Sequence, residues 1–233
     1  MGNGLTRRLS PVVHSLRVTL PLVILLLAGC SDPWTARIEQ ARRSQSDQLA
    51  FSTRVIGDDD LPALAALPQL RELLIEQSRI TDAGFKSLRR FEKLEHLRLR
   101  GARITDDALD ALDDWPRLRL LNLPQADLTD AGVARICRRE RLELLRLGSP
   151  RATDESLVAV AACPSLRFLH LIDVPITDAG LKHLEQAQQL TSLYLDGSRV
   201  TDEGIERLVT ASPHLHVHID QRHSDRDPNR HTH

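Results

Sequence analysis

Histidine and aspartate residues near the C-terminus have the types and spacing of a metal site. His216 and His218 alternate, and Asp220 follows two residues later. Alternate side chains of a strand share one face, so these three can converge on Zn²⁺, Ni²⁺ or Cu²⁺ if the segment is extended. The alternative is a solvated polar cap in which the histidines share no ligand. The sequence therefore contains one candidate metal site, and it indicates no other cofactor.

A Thr-Asp pair recurs every 24 residues, six times in the same phase. A repeated carboxylate can form a ladder of metal ligands, but both residue types also suit the start of a helix. The threonine hydroxyl can accept a free N–H, and aspartate lies well at the positive end of the helix dipole. We therefore interpret each pair as a helix N-cap, with a degraded seventh copy at Gly57-Asp58. The six pairs are Thr81-Asp82, Thr105-Asp106, Thr129-Asp130, Thr153-Asp154, Thr177-Asp178 and Thr201-Asp202.

The sequence contains no recognisable catalytic arrangement. A nucleophile elbow, a phosphate-binding glycine loop and a metalloprotease helix motif are all missing. A formal net charge of −1 and an aromatic content of 3% also argue against nucleic-acid binding, which needs basic patches and stacking platforms. We expect a protein that is not an enzyme and has no nucleic-acid partner.

Apolar residues recur at fixed places within each 24-residue unit. The fourth and sixth residues, such as Leu97 and Leu99, have period-2 spacing and predict a short strand with one buried face. The sixteenth and nineteenth residues, such as Leu181 and Leu184, predict a short helix with one buried stripe. Each unit must therefore position its polar residues on one strand and one helix. The units begin at Ser46, Leu70, Leu94, Leu118, Leu142, Leu166 and Leu190.

This L-x-x-L-x-L frame with a helical return resembles the leucine-rich repeat family. Ile176–Leu181, which reads Ile-Thr-Asp-Ala-Gly-Leu, and Cys163–Leu166, which reads Cys-Pro-Ser-Leu, are closest to its cysteine-containing and bacterial subtypes. The resemblance implies an α/β horseshoe-shaped solenoid, with parallel strands on the concave face and short helices on the convex face. The asparagine that often follows the strand in the family is absent here. Pro150–Ser156 departs furthest from the pattern, so we expect a local irregularity there.

The third, fifth and seventh residues of each unit are expected to face the concave surface. Neighbouring strands lie about 4.8 Å apart, so equivalent residues should be side by side. Five apolar side chains then form one patch with basic residues around it, which is typical of a partner site. The alternatives are scattered surface hydrophobic residues or a patch covered by the C-terminal tail. The apolar residues are Leu120, Leu144, Phe168, Ile172 and Tyr194, and the basic ones are Arg98, Arg100, Arg146 and His170.

The N-terminus has the features of a targeting segment. Residues 1–17 contain three arginines and no acid, and an apolar run follows from Val18 to Gly29. This run is shorter than the about 20 apolar residues that span a bilayer, and it has the length of a signal-peptide core. The first 29 residues are therefore interpreted as a cleaved signal.

The end of this segment, Leu27-Ala28-Gly29-Cys30, resembles the lipobox of bacterial lipoproteins. The resemblance implies cleavage before Cys30 and attachment of lipid to it, which would anchor the protein to a membrane of the cell envelope. Ser31, rather than aspartate, follows the cysteine, and this favours sorting to the outer membrane over the inner one. The alternative is an ordinary secretory signal with a chance cysteine.

The remaining chain divides by composition and phase. Trp34 and Ile38 lie one turn apart and predict a capping helix at the N-terminal end of the repeats. Cys163 is expected to be a buried small residue, with a disulfide to Cys137 as the alternative. The expected organisation is a signal peptide at 1–29, anchor cysteine and capping helix at 30–45, about seven repeats plus a final strand at 46–219, and a disordered histidine-rich tail at 220–233.

Three functional hypotheses follow from these observations. The first is a lipid-anchored, monomeric envelope module that binds an unidentified protein or peptide on its concave face. The second is a metal-binding or metal-sensing envelope lipoprotein that uses the histidine-rich C-terminus. The third is a structural envelope protein without a specific ligand.

Overall fold

The computed structural model describes residues 33–220 and the backbone of residues 222 and 223. One sheet holds nine strands in sequence order, and the first eight are parallel. Every parallel pairing joins residues 24 apart, as in Leu97 with Leu121, so the repeat in the sequence is also the register of the sheet. The strands are β1 (Gln48–Phe51), β2 (Glu72–Ile75), β3 (His96–Leu99), β4 (Leu120–Leu123), β5 (Leu144–Gly148), β6 (Phe168–Ile172), β7 (Ser192–Asp196), β8 (His216–Ile219) and β9 (Arg222–His223).

Short helices connect successive parallel strands, as the sixteenth and nineteenth residues of the units predict. Within the described residues some of these connections are 3-10 helix rather than α-helix, namely Asp58–Ala66, Leu88–Arg90 and Asp106–Asp114. The α-helices are α1 (Pro33–Arg43), α2 (Asp82–Ser87), α3 (Asp130–Cys137), α4 (Ser156–Ala161), α5 (Asp178–Leu184) and α6 (Asp202–Ala211).

The core lies between the sheet and the helices. It is filled by the inward residues of each strand together with the apolar stripe of each helix, such as Leu181 and Leu184. Burial of this kind is the dominant stabilising contribution in a solenoid, in which each coil packs only on its neighbours. The fourth residues of six successive units are completely buried, namely Leu73, Leu97, Leu121, Leu145, Leu169 and Leu193.

The Thr-Asp pairs form a hydrogen-bonded ladder that joins successive coils. In each step the aspartate accepts the backbone N–H and the hydroxyl of the threonine 23 residues later, as in Asp154 with Thr177 at 2.7 and 2.6 Å. The same hydroxyl then accepts the N–H of Ala179 at the start of α5, as an N-cap does. The N-cap interpretation is therefore right for Thr81, Thr105, Thr177 and Thr201, whereas Thr129 makes no such bond. The aspartate binds the next coil. The six aspartates are Asp58, Asp82, Asp106, Asp130, Asp154 and Asp178.

This ladder explains the degraded copy at Gly57-Asp58. The aspartate is present because it binds Thr81 of the next coil. Trp34 of α1 stands 24 residues before Asp58, where an earlier coil would carry its aspartate. A threonine at position 57 would have no aspartate of a preceding coil to bind, and the N–H of Gly57 instead donates to Asp60 Oδ2 at 2.9 Å.

In several coils a glycine lies two residues after the aspartate of the Thr-Asp pair. At this place the aspartate carboxylate of the preceding coil packs against the start of the helix. A Cβ on Gly132 would lie 2.1 Å from Asp106 Oδ1. Ala108 and Ser156 occupy this place in two other coils, and the first of them lies in a 3-10 helix. Ser156 is the first residue of α4, so this helix begins two residues later than the 24-residue repeat predicts. This late start is the irregularity expected at Pro150–Ser156.

Both ends of the described solenoid are covered. Helix α1 buries Trp34 and Ile38, and the Trp34 ring packs on Phe51 with centroids 4.2 Å apart. At the other end β9 pairs antiparallel with β8 and covers the edge of the last parallel strand. This pairing differs from the expectation of a disordered tail from Asp220 onward, and residues 224–233 lie outside the described part of the chain.

The two cysteines of the repeats are buried free thiols. Their side chains are hydrogen-bonded to each other between adjacent coils, which lowers the pKa of Cys163 to about 7 and raises that of Cys137. The disulfide alternative is absent from this structure.

Candidate functional site

The open face of the sheet, which the sequence predicts to be concave, carries the third, fifth and seventh residues of each unit. The 24-residue register aligns equivalent side chains in straight rows across β1–β8. Each row samples one side chain from each coil, about 4.8 Å from the next. The rows of the third and fifth residues, together with a row of charged residues that precedes the strands, determine what the face can bind.

The apolar row consists of Leu120, Leu144 and Phe168, which are paired directly across β4, β5 and β6. The leucines are half-buried, whereas Phe168 is 45% exposed. Large apolar side chains next to one another on a solvated sheet face are a feature of interaction surfaces. The row ends at His96 on one side and Ser192 on the other.

Ile172 and Tyr194 do not continue this row, so the expected single patch is divided. Ile172 lies on β6 beyond His170, which separates it from Phe168. Tyr194 pairs with His170 instead of a leucine. The physical reason is that residues two apart on one strand belong to different rows, about 7 Å apart.

Tyr194 lies in a row of aromatic rings. Its ring centroid is 5.3 Å from that of His170 and 4.0 Å from that of His218, and the second pair is stacked with an interplanar angle of 9°. His170 Nε2 is 2.8 Å from Asp196 Oδ2. These contacts hold the rings in place and make this end of the face polar and aromatic.

The central row runs through the middle of the face and contains two arginines with no acid between them. Arg98 and Arg146 flank Asn122, which is 7% exposed. Arg98 pairs with Glu76 at 3.1 Å, and Arg100 reaches the same carboxylate oxygen at 3.8 Å. One carboxylate therefore serves two guanidinium groups. The row is Leu74, Arg98, Asn122, Arg146, His170, Tyr194 and His218.

Arg146 forms no ion pair with any residue in 33–220. Burial, followed by the positive charges of Arg98 and Arg100, lowers its pKa. The buried Nε atoms of Arg98 and Arg146 and the buried Oδ1 of Asn122 have no hydrogen-bond partner within the described chain. Buried polar atoms are nearly always satisfied, so unpaired ones at a surface recess indicate a place for a ligand or water.

The edge row precedes the strands and has the opposite arrangement. Its charges alternate in sign, and Arg119 holds Glu143 with two hydrogen bonds of 2.8 and 2.7 Å. Arg71 lies between Asp47 and Glu95, at 3.9 and 2.6 Å. A shallow depression at this edge is therefore lined by charges that already have partners. The edge row is Asp47, Arg71, Glu95, Arg119, Glu143 and Arg167.

The candidate metal residues do not form a site. The His218 ring is stacked on Tyr194, and Asp220 Oδ1 accepts the N–H of Gly197 at 3.0 Å. Asp220 has a positive φ of 48° and forms the turn between β8 and β9. Within the described residues no group of three or more His, Cys, Asp or Glu side chains is placed to hold a metal ion. His216 and His218 lie on the same face because they are alternate residues of β8, the last parallel strand.

Comparison with known proteins agrees with the geometry. A family profile described as Leucine Rich repeat matches residues 92–112 and 186–209. The chain has the fold of a leucine-rich repeat solenoid. The structure thereby confirms the leucine-rich repeat fold at the level of architecture, while the finer subtype stays a prediction. No curated protein matches this leucine-rich repeat chain.

Similar solved structures include two internalins of Listeria monocytogenes. Internalin C2 is 19% identical, with a TM-score of 0.59 over 81% of this chain and 93% of that one. A second internalin (inlF) is 22% identical, with a TM-score of 0.49 over 72% of this chain. The match covers 53% of that second protein, so the leucine-rich repeat chain corresponds to about half of its length. At these identities the likeness concerns the fold alone.

Two further observations concern the membrane. No helix within the described residues is long and apolar enough to cross a bilayer. Cys30, the predicted lipidation residue, lies outside the described residues. The lipid anchor is therefore a prediction from the sequence.

The edge row and the aspartate-to-threonine bonds were missed by sequence reasoning. The edge row has a simple signal, since acid and base alternate at 24-residue spacing before each strand. The aspartate-to-threonine bonds have a weaker signal in the sequence. They join residues 23 apart, which is one residue short of the 24-residue repeat. The retained Asp58 without a threonine before it is the only local clue in the sequence.

Proposed function

We propose that this protein is a non-catalytic, lipid-anchored module of the bacterial envelope that binds a protein or peptide on the open face of its sheet. The observation that carries the proposal is the apolar row. Phe168 is 45% exposed and stands in register with two leucines on a face whose other rows are largely polar. Exposed aromatic side chains beside other apolar residues often contribute strongly to the binding of a protein partner.

The scaffold around the row supports this function. The parallel register and the Thr-Asp ladder fix every coil relative to the next, so the row is presented in one geometry. A pre-organised surface loses less conformational entropy on binding. The location of the module in the envelope rests on the lipobox that ends at Cys30.

Site-specific photocrosslinking tests the binding face. A benzoylphenylalanine is placed at Phe168 in the full chain, and cells are irradiated. The matched control is Val158 on α4, which is also a large apolar side chain and is 43% exposed, close to the 45% of Phe168. We expect a defined adduct from the first position and none from the second. Equal adducts, or none at Phe168, would contradict the proposal.

Metabolic labelling with an alkyne palmitate tests the anchor. Replacing Cys30→Ser is expected to abolish labelling and release the protein from membranes, because lipid attaches to that sulfur. Cys163→Ser is the control, since this buried thiol belongs to the core and should not affect labelling. Labelling that survives Cys30→Ser would favour the ordinary secretory signal.

A further inference from the structure

On the open face Arg98 and Arg146 flank the shorter Asn122, and the space above Asn122 between the two arginines is called the recess here. The two arginines lie on β3 and β5, about 10 Å apart at the backbone. The seventh residues of the next two coils, Pro124 and Gly148, add no long side chain to its floor. Arginine side chains from both sides can therefore reach one small group above Asn122.

The unpaired atoms of the recess define what that group must be. Two cations with too few acids require a negative charge, and planar guanidinium groups match a carboxylate. Asn122 Oδ1 is a buried acceptor without a donor among residues 33–220 and requires an N–H. A peptide supplies both, since an acidic side chain carries the charge and the backbone carries the donor.

The neighbouring apolar row defines the second contact. Leu120 and Leu144 precede Asn122 and Arg146 by two residues on β4 and β5, a separation of about 7 Å. In an extended peptide, residues i and i+2 point to the same side at this same distance. An acidic side chain over the recess thus places an apolar side chain two residues away over the apolar row.

We propose that the open face binds an extended acidic peptide segment in which a glutamate or aspartate lies two residues from an apolar side chain. The carboxylate binds between Arg98 and Arg146, and the apolar side chain packs on Leu120 and Leu144 of the apolar row. This inference rests on the proposed function and specifies its partner by charge complementarity. Arg71 and Arg119 of the edge row already hold carboxylates, whereas Arg146 holds none among residues 33–220.

Fluorescence anisotropy with defined probes tests the inference on the full-length protein in detergent. The probe is a fluorescein-labelled peptide in which Ser-Glu-Ser-Leu is repeated three times. Two matched peptides carry glutamine or lysine instead of glutamate, and a third carries Glu-Leu-Ser-Ser to break the i, i+2 spacing. We expect the glutamate peptide to bind at least tenfold more tightly than any of the three.

Paired arginine variants locate the contact. Arg146→Gln is expected to weaken the glutamate peptide about tenfold and to leave the glutamine peptide almost unchanged. Arg119→Gln in the edge row removes the same charge from a paired arginine and should leave both unchanged. Arg146→Lys keeps the charge but loses the guanidinium fork, so intermediate binding supports the geometry even if the glutamine variant folds poorly.

The outcomes separate this inference from the proposed function. Equal binding of glutamate and glutamine peptides, weakened by Phe168→Ala, overturns the acidic partner but leaves an apolar binding face. If no peptide binds but Phe168 still gives a photocrosslink, the acidic partner is likewise overturned and the apolar binding face remains. Equal loss from Arg146→Gln and Arg119→Gln overturns the recess and attributes binding to overall charge.

Discussion

The edge row and the central row have the same 24-residue spacing, and each contains arginines two coils apart. The two rows differ in the residue that lies between those arginines. In the edge row Glu95 and Glu143 alternate with Arg71 and Arg119, so each charge finds a partner in an adjacent coil. In the central row the corresponding place is Asn122, a neutral residue. The comparison shows that Arg71 and Arg119 are paired with carboxylates of their own row, whereas Arg146 of the central row has no ion pair among residues 33–220.

The energetic consequences differ accordingly. Exposed ion pairs contribute between about 0 and 1 kcal/mol each, so the edge row has a modest effect on stability. A partly buried guanidinium without a partner loses hydration that a ligand carboxylate can replace. The central row should therefore affect binding much more than stability.

The largest effect on stability is expected from disturbing the contact between adjacent coils at the connection from β4 to β5. Both rows depend on this contact for their alignment. In Gly132→Ala the new Cβ would meet Asp106 Oδ1, so the bonds of Asp106 to Thr129 must shift. We expect a loss of about 1–3 kcal/mol in urea denaturation, as in other overpacked sites. The control is Gly57→Ala, where no atom lies within 4 Å and stability should be nearly unchanged. Equal effects would show that the ladder does not restrict this position.

A second variant makes the central row resemble the edge row. Asn122→Asp supplies a carboxylate between Arg98 and Arg146 with almost no change in shape. We expect at least tenfold weaker binding of the glutamate peptide, equivalent to about 1.4 kcal/mol, measured by anisotropy. Gln125→Glu is the control, because it adds the same charge on the same coil and keeps the acceptor for the Gly101 N–H. If both variants weaken binding alike, net charge rather than the recess is responsible.

The smallest effect is expected from opening the edge row. Arg119 lowers the pKa of Glu143, so the carboxylate stabilises the fold at pH values above its unfolded pKa of about 4.3. This contribution is lost as the pH falls through the lower folded pKa. Glu143→Gln should cost a few tenths of a kcal/mol at neutral pH, about what an exposed pair contributes, and nothing near pH 2.

Urea denaturation at both pH values measures this difference, and Arg119→Gln completes a double-mutant cycle. Peptide affinity should be the same in all members of the cycle. A difference that persists at low pH, or a change in peptide binding, would show that the two rows are not independent.

Much of the fold was predictable because each coil repeats the same local physics. Apolar residues at the fourth and sixth places of a unit predict the strands, and Trp34 and Ile38 predict the capping helix that α1 forms. The threonine N-caps were also predictable, since residue type and place agree. The irregularity after Pro150 occurs in a coil that carries Ser156 where four other coils carry glycine.

The candidate site was predictable only in part. Alternation correctly assigns Leu144, Phe168 and Arg146 to the open face, but it does not show that His170 divides the apolar residues into separate rows. The metal interpretation of His218 and Asp220 used spacing alone, and spacing cannot show that a ring is stacked or a carboxylate holds a turn.

The sequence by itself determined the period, and the period determined the register, the core and the face to which each strand residue points. Only the tertiary structure decided which charges are paired, because pairing depends on distances between side chains of adjacent coils and on their burial. Arg119 and Arg146 are arginines on neighbouring coils of one repeat. One holds the two oxygens of Glu143, and the other lies beside an asparagine with no carboxylate bound to it among the described residues.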